Sequence, residues 1–345
     1  MVPVVDLSRR GRDHLDAFQA AVERVVLSGQ VLLGPELEAL ESELTAWAGT
    51  RHAVALGSGA GALQLGLAAL GVGPGDEVIV PAFTAVPTAS AVCAVGAVPV
   101  PVDVEPATGA LDDGAARAAI TDRTRAAVPV HLYGRPTVVP DLGVAVLEDA
   151  AQAHGALHGI TGRAAVYSFY PTKNMGGIGD GGVLVTDDDD IAATVRRRRV
   201  HGMAEQYVHT EISQNFRLSE LEAAWLRLLL PEVAAGNQRR AEIARAYRAA
   251  APDLCWPADD PRHVYHLCVA RVPDRRRFRA RLADAGVATA VHYPLALTQQ
   301  PAYQAFTRCP CPEAEAWAAT CVTLPCFPEL TDDEVATVCD ALEQL

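Results

Sequence analysis

Lysine is almost missing from this chain. Of the 29 basic residues among 345, 28 are arginine and one is lysine, Lys173. Arginine can replace lysine in most solvated surface roles, but the two differ in chemistry. An amine can lose its proton and attack a carbonyl, whereas a guanidinium cannot. The surviving lysine is therefore a candidate for chemistry, with chance retention as the competing reading. Other shortages exclude whole classes. No run of about 18 residues is continuously apolar, since the stretch 53–73 that is free of charge and proline is broken by Ser58, Gln64 and six glycines, which argues against a membrane span. The opening MVPVVDLSRRGRDHLD lacks a basic-then-apolar leader, so the expected location is cytoplasmic. The eight cysteines contain no CxxC pair and no zinc spacing, and Cys309-Pro-Cys311 is too tight for a structural clip. A net charge of −13 argues against a nucleic-acid partner. The Arg196–Arg199 run reads as a solvated helix end.

What is present is an alternation of element types. Helical periodicity covers Asp13–Gly29 and Glu36–Ala48, each ending near a glycine suited to a C-cap. Seven short apolar runs follow: His52–Leu56, Glu77–Pro81, Ala97–Val104, Ala126–Leu132, Val144–Glu148, Ala165–Tyr170 and Gly182–Thr186. Several are continuously apolar, as in strands buried on both faces of a parallel sheet. Ala60–Leu70, Pro87–Val95 and Asp112–Ile120 read as crossover helices, giving an α/β layer architecture. A long helical stretch, Ser219–Ala251, opens with a Ser-x-x-Glu capping box at Ser219 and Glu222, and Pro231 can split it. Beyond it lie a strand at His266–Arg271, a helix at Asp274–Ala285, an extended piece ending in HYP and a closing helix at Asp332–Leu345. The predicted division is a large domain, 1–236, and a smaller C-terminal α/β domain, 237–345.

Three segments carry candidate chemistry. Gly57-Ser-Gly-Ala-Gly-Ala62 lies between a strand and a helix, where backbone N–H groups and the helix dipole favour a phosphate. It lacks the acidic residue at the end of the second strand that a dinucleotide fold would supply. A ligand-free tight turn is the alternative. Val146–Gly155, VLEDAAQAHG, sets Asp149 just past the end of a buried strand, where α/β sheets bind ligands. There it can hold a cationic ring nitrogen or simply cap a helix. His154, on the same turn, reads as a satisfied core histidine. Ser168–Gly182, SFYPTKNMGGIGDGG, puts Lys173 ahead of a glycine-dense loop, the reverse of a P-loop. A phosphate cup, an acid for a ring nitrogen and an amine able to form a Schiff base together match what pyridoxal phosphate needs.

The segments GPE, SGAGAL, GDEVIVPAFT, PVHLYG, EDAAQAHGA, SFYPTKNMGGIGDGG, NFRL and HYP resemble, in order and spacing, the DegT/DnrJ-type sugar aminotransferases. The resemblance spans essentially the whole chain. It implies fold type I, with a mixed, mostly parallel seven-stranded sheet flanked by helices, pyridoxal 5'-phosphate as cofactor, and a homodimer with shared active sites. It also implies that Lys173 binds the cofactor as a Schiff base and that Asp149 pairs with the pyridinium nitrogen. Gln152 would face the phenolic oxygen. Ser168 and the amides of Gly59, Ala60 and Gly61 would hold the phosphate, joined by Asn215 from the other subunit. Arg217, His292 and Tyr293 are the substrate candidates. The sequence departs from the family pattern at Ala60-Gly61, where a Thr-Asp pair is usual. It departs again at Ala85, where an aromatic residue usually covers the ring, at Ser213 in place of a glycine, and at Thr298 in place of a histidine.

The expected activity is transfer of an amino group from glutamate or glutamine to a ketone of a nucleotide-linked deoxysugar. An aminocyclitol ketone is the nearest alternative acceptor. An NAD-dependent oxidoreductase, resting on GSGAGA alone, and a non-catalytic regulatory protein are alternatives of different class.

Overall fold

The computed structural model describes residues 1–345. Two helices lead, α1 (Leu7–Ser28) and α2 (Pro35–Ala48), ended by Gly29 and Gly49 at φ 71° and 67°. The sheet then builds through β1 (His52–Leu56), α3 (Gly59–Ala69), β2 (Glu77–Pro81), α4 (Val86–Ala94), β3 (Val98–Val102), α5 (Asp113–Ala118), β4 (Thr124–Ala127), β5 (Ala145–Asp149), β6 (Ala164–Ser168) and β7 (Gly182–Thr186). The strand order is β1-β7-β6-β5-β4-β2-β3. Only β7 runs antiparallel to its neighbours. All seven expected strands are present, and their apolar residues form two buried layers, one on each face of the sheet.

One boundary moved. The apolar run 126–132 was expected to be strand throughout, yet β4 ends at Ala127. Pro129 has no N–H to give to a ladder. The chain beyond still follows β5, because Pro129 O accepts from Asp149 N at 2.9 Å and His131 N donates to Asp149 O at 3.0 Å.

After β7 come α6 (Asp189–Arg199), a small hairpin of β8 (Met203–Glu205) and β9 (Val208–His209) that sequence periodicity missed, and then α7 (Glu220–Leu229) and α8 (Val233–Ala250), split at Pro231. The arginine run does not end freely in solvent. Arg199 is buried and ion-paired with Glu41, while Arg197 and Arg198 both pair with Glu211. The C-terminal part has its own core, with residues from Ile243 to Leu342 packed together with Val2 from the amino terminus. It contains β10 (Cys268–Arg271), α9 (Arg275–Asp284), α10 (Pro312–Thr320), β11 (Cys321–Leu324) and α11 (Asp332–Glu343). β10 pairs antiparallel with β11, a strand the sequence reading did not contain.

Candidate active site

Because β1, β2, β4, β5 and β6 run the same way, their carboxyl ends share one edge of the sheet, where such folds bind ligands. A cavity of about 270 Å³ opens there, lined by Ser58, Gly59, Asp149, Gln152, Ser168 and Lys173 among others. A larger cavity, about 680 Å³, lies behind α1 and α8. The smaller one holds the three segments that the sequence singles out.

The phosphate cup starts where β1 meets α3. Ser58 caps α3, its Oγ accepting from Gly61 N at 3.0 Å. The first amides of a helix have no acceptor within it, so those of Gly59 and Ala60 are available to an anion. Glycine is required at 59 by packing, since a Cβ there would lie 2.7 Å from the Cβ of Ser168. That close approach puts the Ser168 hydroxyl beside the helix start.

Asp149 ends β5 and is 5% exposed. Its Oδ2 accepts from Thr88 Oγ1 at 2.8 Å and its Oδ1 from Ala151 N at 3.1 Å. Burial pushes its carboxyl above the ordinary value, while the Thr88 hydroxyl, the Ala151 amide and the charge of Lys173 pull it down. A cation placed against it adds to the second group and favours carboxylate. Thr88, on α4, has no motif around it in VPTAS and was not foreseen. Gln152 is also buried. Its Oε1 accepts from Tyr133 N at 2.6 Å and its Nε2 donates to Tyr293 Oη at 3.0 Å.

Lys173 sits in the β6–β7 connection, which is held on every side. Lys173 N donates to Tyr170 O at 2.8 Å, and Asn174 Nδ2 donates to Asn237 Oδ1 and Val264 O. Gly177 N donates to Phe169 O, and Trp225 Nε1 donates to Gly176 O. Gly176 admits no side chain, since a Cβ would lie 2.0 Å from Pro171 O. Burial lowers the Lys173 amine to about 8, opposed by the charge of Asp149. His154 is fully buried against Tyr167 and Phe169, but it is not a satisfied core histidine, because neither ring nitrogen has a partner. Burial brings its imidazole down to about 3, so it stays neutral beside Lys173.

The remaining candidates are dispersed. Asn215 is exposed, and its Oδ1 accepts from Arg217 N and Nε. His292 Nδ1 meets Thr323 Oγ1 at 2.8 Å, in the wall of a neighbouring cavity. Ala85 lines the same cavity as Lys173. The donor set nevertheless fits a phosphorylated pyridine aldehyde, offering free helix-start amides and a hydroxyl at one end, a carboxylate for the ring nitrogen, and one amine.

Residues 13–343 match the DegT/DnrJ/EryC1/StrS aminotransferase family. The chain is 41% identical to a dTDP-3-amino-3,4,6-trideoxy-alpha-D-glucose transaminase of Streptomyces venezuelae, over 99% of this chain and 96% of that one. It is 37% identical to a pleiotropic regulatory protein of Geobacillus stearothermophilus, over 99% and 98%. The crystal structure of S. venezuelae DesV in complex with a ketimine intermediate superposes with a TM-score of 0.95 at 39% identity, covering 99% and 98% of the two chains. NtdA of Bacillus subtilis with bound cofactor PMP gives 0.94 at 28%, covering 99% and 84%.

Proposed function

This chain belongs to the DegT/DnrJ/EryC1/StrS aminotransferase family, whose enzymes use pyridoxal phosphate, and on that footing we propose that it moves an amino group from glutamate or glutamine to a keto group of a nucleotide-linked deoxysugar. The observation that carries the reading is a single cavity containing the chain's one lysine, with its amine lowered to about 8, and a buried carboxylate at the end of β5. The names of relatives support the acceptor class, since one is a transaminase of a dTDP-linked trideoxy sugar.

When bound, the cofactor supplies an electron sink next to the carbon that gains or loses nitrogen. The chain's residues do the rest. Gly59 and Ala60 amides with Ser168 Oγ hold the phosphate. Asp149, oriented by Thr88 and Ala151, keeps a ring nitrogen protonated. Gln152 would give its remaining N–H to the phenolic oxygen. Lys173 would hold the cofactor through Nζ, and that amine, brought near neutral pH, would be suited to taking up and returning the proton of the donor's Cα.

The reading includes a division of the chain near residue 237 and a homodimer in which Asn215 of one subunit reaches the phosphate of the other. Ile212 is 100% exposed, Tyr207 84% and Leu27 78%, apolar side chains that a partner copy would cover. No helix is long and apolar enough to cross a membrane, consistent with a cytoplasmic location, and with net charge −13 the proposed partners are small molecules rather than nucleic acid.

The test is optical and chemical. Supplied with pyridoxal phosphate, the protein should gain the visible band of a lysine-bound cofactor. Borohydride reduction and peptide mapping should then place the adduct on Lys173. An unchanged spectrum sinks the reading. The oxidoreductase alternative predicts nicotinamide binding instead, and a regulatory protein would keep its function in Lys173→Ala.

A further inference from the structure

No regular strand flanks Asp149 on the β4 side. β4 ends at Ala127, and residues 129–133 run on beside β5 as a short strip. Val130 forms an isolated parallel bridge with Asp149 and lines the cavity that holds Lys173. Asp149 N donates to Pro129 O at 2.9 Å, and His131 N donates to Asp149 O at 3.0 Å. Farther along, Gln152 Oε1 accepts from the N–H of Tyr133, a residue held at φ 60°. The strip thus grips both of the polar residues that would meet the cofactor ring.

A buried side-chain pair fastens the strip in turn. His131 and Glu148 are each 1% exposed, and the imidazole Nε2 meets the carboxylate Oε2 at 3.0 Å. Thr137 N donates to His131 Nδ1 at 3.0 Å, so the N–H of the ring lies on Nε2 and points at Glu148. Glu148 Oε1 accepts from Thr161 N at 2.6 Å and Gly162 N at 2.7 Å, and no arginine or lysine pairs with it. Burial works against that charge, but the His131 N–H and the amides of Gly162 and Thr161 outweigh it and hold the carboxyl below its ordinary value.

An enclosed carboxylate without a cation costs stability, and an apolar pair of similar volume would fill the space as well. What the polar pair adds is direction, because its hydrogen bond joins the strip to the residue just before Asp149. Groups that act on a cofactor must be held to within about 0.5 Å by neighbours that are themselves fixed.

We propose that His131, through its hydrogen bond to Glu148, is a positioning residue that fixes the strip 129–133 and with it the Asp149 carboxylate and the Gln152 amide. His131 is not part of the cavity wall and acts through Asp149. The inference rests on the aminotransferase reading, which supplies the ring nitrogen that Asp149 holds.

The experiment uses the full chain and pyridoxal phosphate labelled with nitrogen-15 in the ring. NMR of that nucleus at one fixed pH separates a protonated ring from a neutral one, and titration of the cofactor-free protein gives a Kd. His131→Asn keeps an acceptor for Thr137 N but is too short to reach Glu148. It should weaken cofactor binding about tenfold, the scale of one buried hydrogen bond, and move the ring signal toward the neutral position. His131→Gln carries an N–H as far as the imidazole does and should recover most of both.

The same substitution is then made in Asp149→Asn, where the ring nitrogen has lost its acid. There His131→Asn should change the Kd by less than about twofold and leave the ring signal in place, because residues that act through one another do not add. If His131→Asn does not fold, Glu148→Asp draws the carboxylate back by one methylene and is read in the same two backgrounds with the same expectation. A variant that lowers only the melting temperature, with ring signal and Kd unchanged, would overturn the inference, as would equal losses in both backgrounds. Either result leaves the aminotransferase reading standing. A wild-type protein that gains no visible band overturns that reading, and this inference with it.

Discussion

Glu222 offers a prediction with a sign and a size. It lies on α7 beneath the lysine loop and is 6% exposed. Its Oε2 accepts from Gly179 N at 3.1 Å, and its Oε1 is buried with no partner. Burial raises the carboxyl from 4.5 to about 7, helped by the charge of Asp180 and opposed by the N–H groups of Gly179 and Ile178. The native state thus holds a proton that the unfolded chain releases at lower pH. The stability contributed by this group is complete below about pH 4.5, declines as pH rises, and is gone above about pH 7. At roughly 1.4 kcal/mol per pH unit the span is worth about 3 kcal/mol, and about 2 kcal/mol once water reaching the exposed part of the loop is allowed for.

Glu222→Gln keeps the acceptor for Gly179 and puts a neutral NH₂ where the acid holds its proton. Thermal unfolding of both proteins, followed by circular dichroism at about pH 5 and about pH 8.5, reads the difference. At the lower pH the two melting temperatures should nearly coincide. At the higher pH the Gln variant should melt about 4 °C above wild type, taking about 2 °C per kcal/mol for a chain of this size. The same offset at both pH values, or a Gln variant less stable at about pH 8.5, would show that Glu222 is not a buried acid titrating near neutrality.

Three further outcomes follow from the site. Asp149→Asn should keep the Thr88 hydrogen bond and melt within about 1 kcal/mol of wild type, yet lose about a hundredfold or more in turnover because the ring nitrogen is no longer held protonated; steady-state rates near normal would refute the assigned role. Gly59→Ala forces a methyl to within 2.7 Å of the Ser168 Cβ, so it should cost about 1–3 kcal/mol in a denaturant titration and weaken pyridoxal phosphate binding, and unchanged values for both would contradict the close approach. Lys173→Arg keeps a cation in the loop but should abolish covalent attachment of the cofactor on borohydride reduction and all turnover, since a guanidinium does not form the Schiff base.

The parts legible in the sequence were those fixed by local pattern. Continuous apolar runs marked the seven strands because both faces of the sheet are covered, and Gly29 and Gly49 marked helix ends because only glycine takes their positive φ without strain. Lys173 and Asp149 were visible because each sits at a strand end inside a dense motif. What escaped depends on contacts distant in sequence. Glu222 read as half of a capping box, but only Ser219 caps, and the carboxylate turns to a loop 43 residues away. Thr88 gains meaning only from Asp149, 61 residues on. Arg240 sits in an unremarkable helical stretch, and its burial becomes visible only when α8 brings it to the carbonyls of Tyr265 and Cys326. Strand β11, with the apolar residues of CVTL, lay in a stretch whose neighbouring helices masked it.

The chain's basic residues divide by what burial can do to them. Arg240 and Lys173 are both enclosed, and both lose affinity for their proton on that account, yet Arg240 comes down only to about 10 while Lys173 reaches about 8. The guanidinium stays a fixed cation at neutral pH, whereas an amine brought that close to neutrality can give up and retake a proton. Exchanging the two would leave the electrostatic map almost unchanged and remove the chemistry. A sequence that has replaced lysine with arginine at every other basic position can make that replacement wherever charge alone is needed. On the proposed reaction it stops at 173 because that position needs an amine that can be neutral.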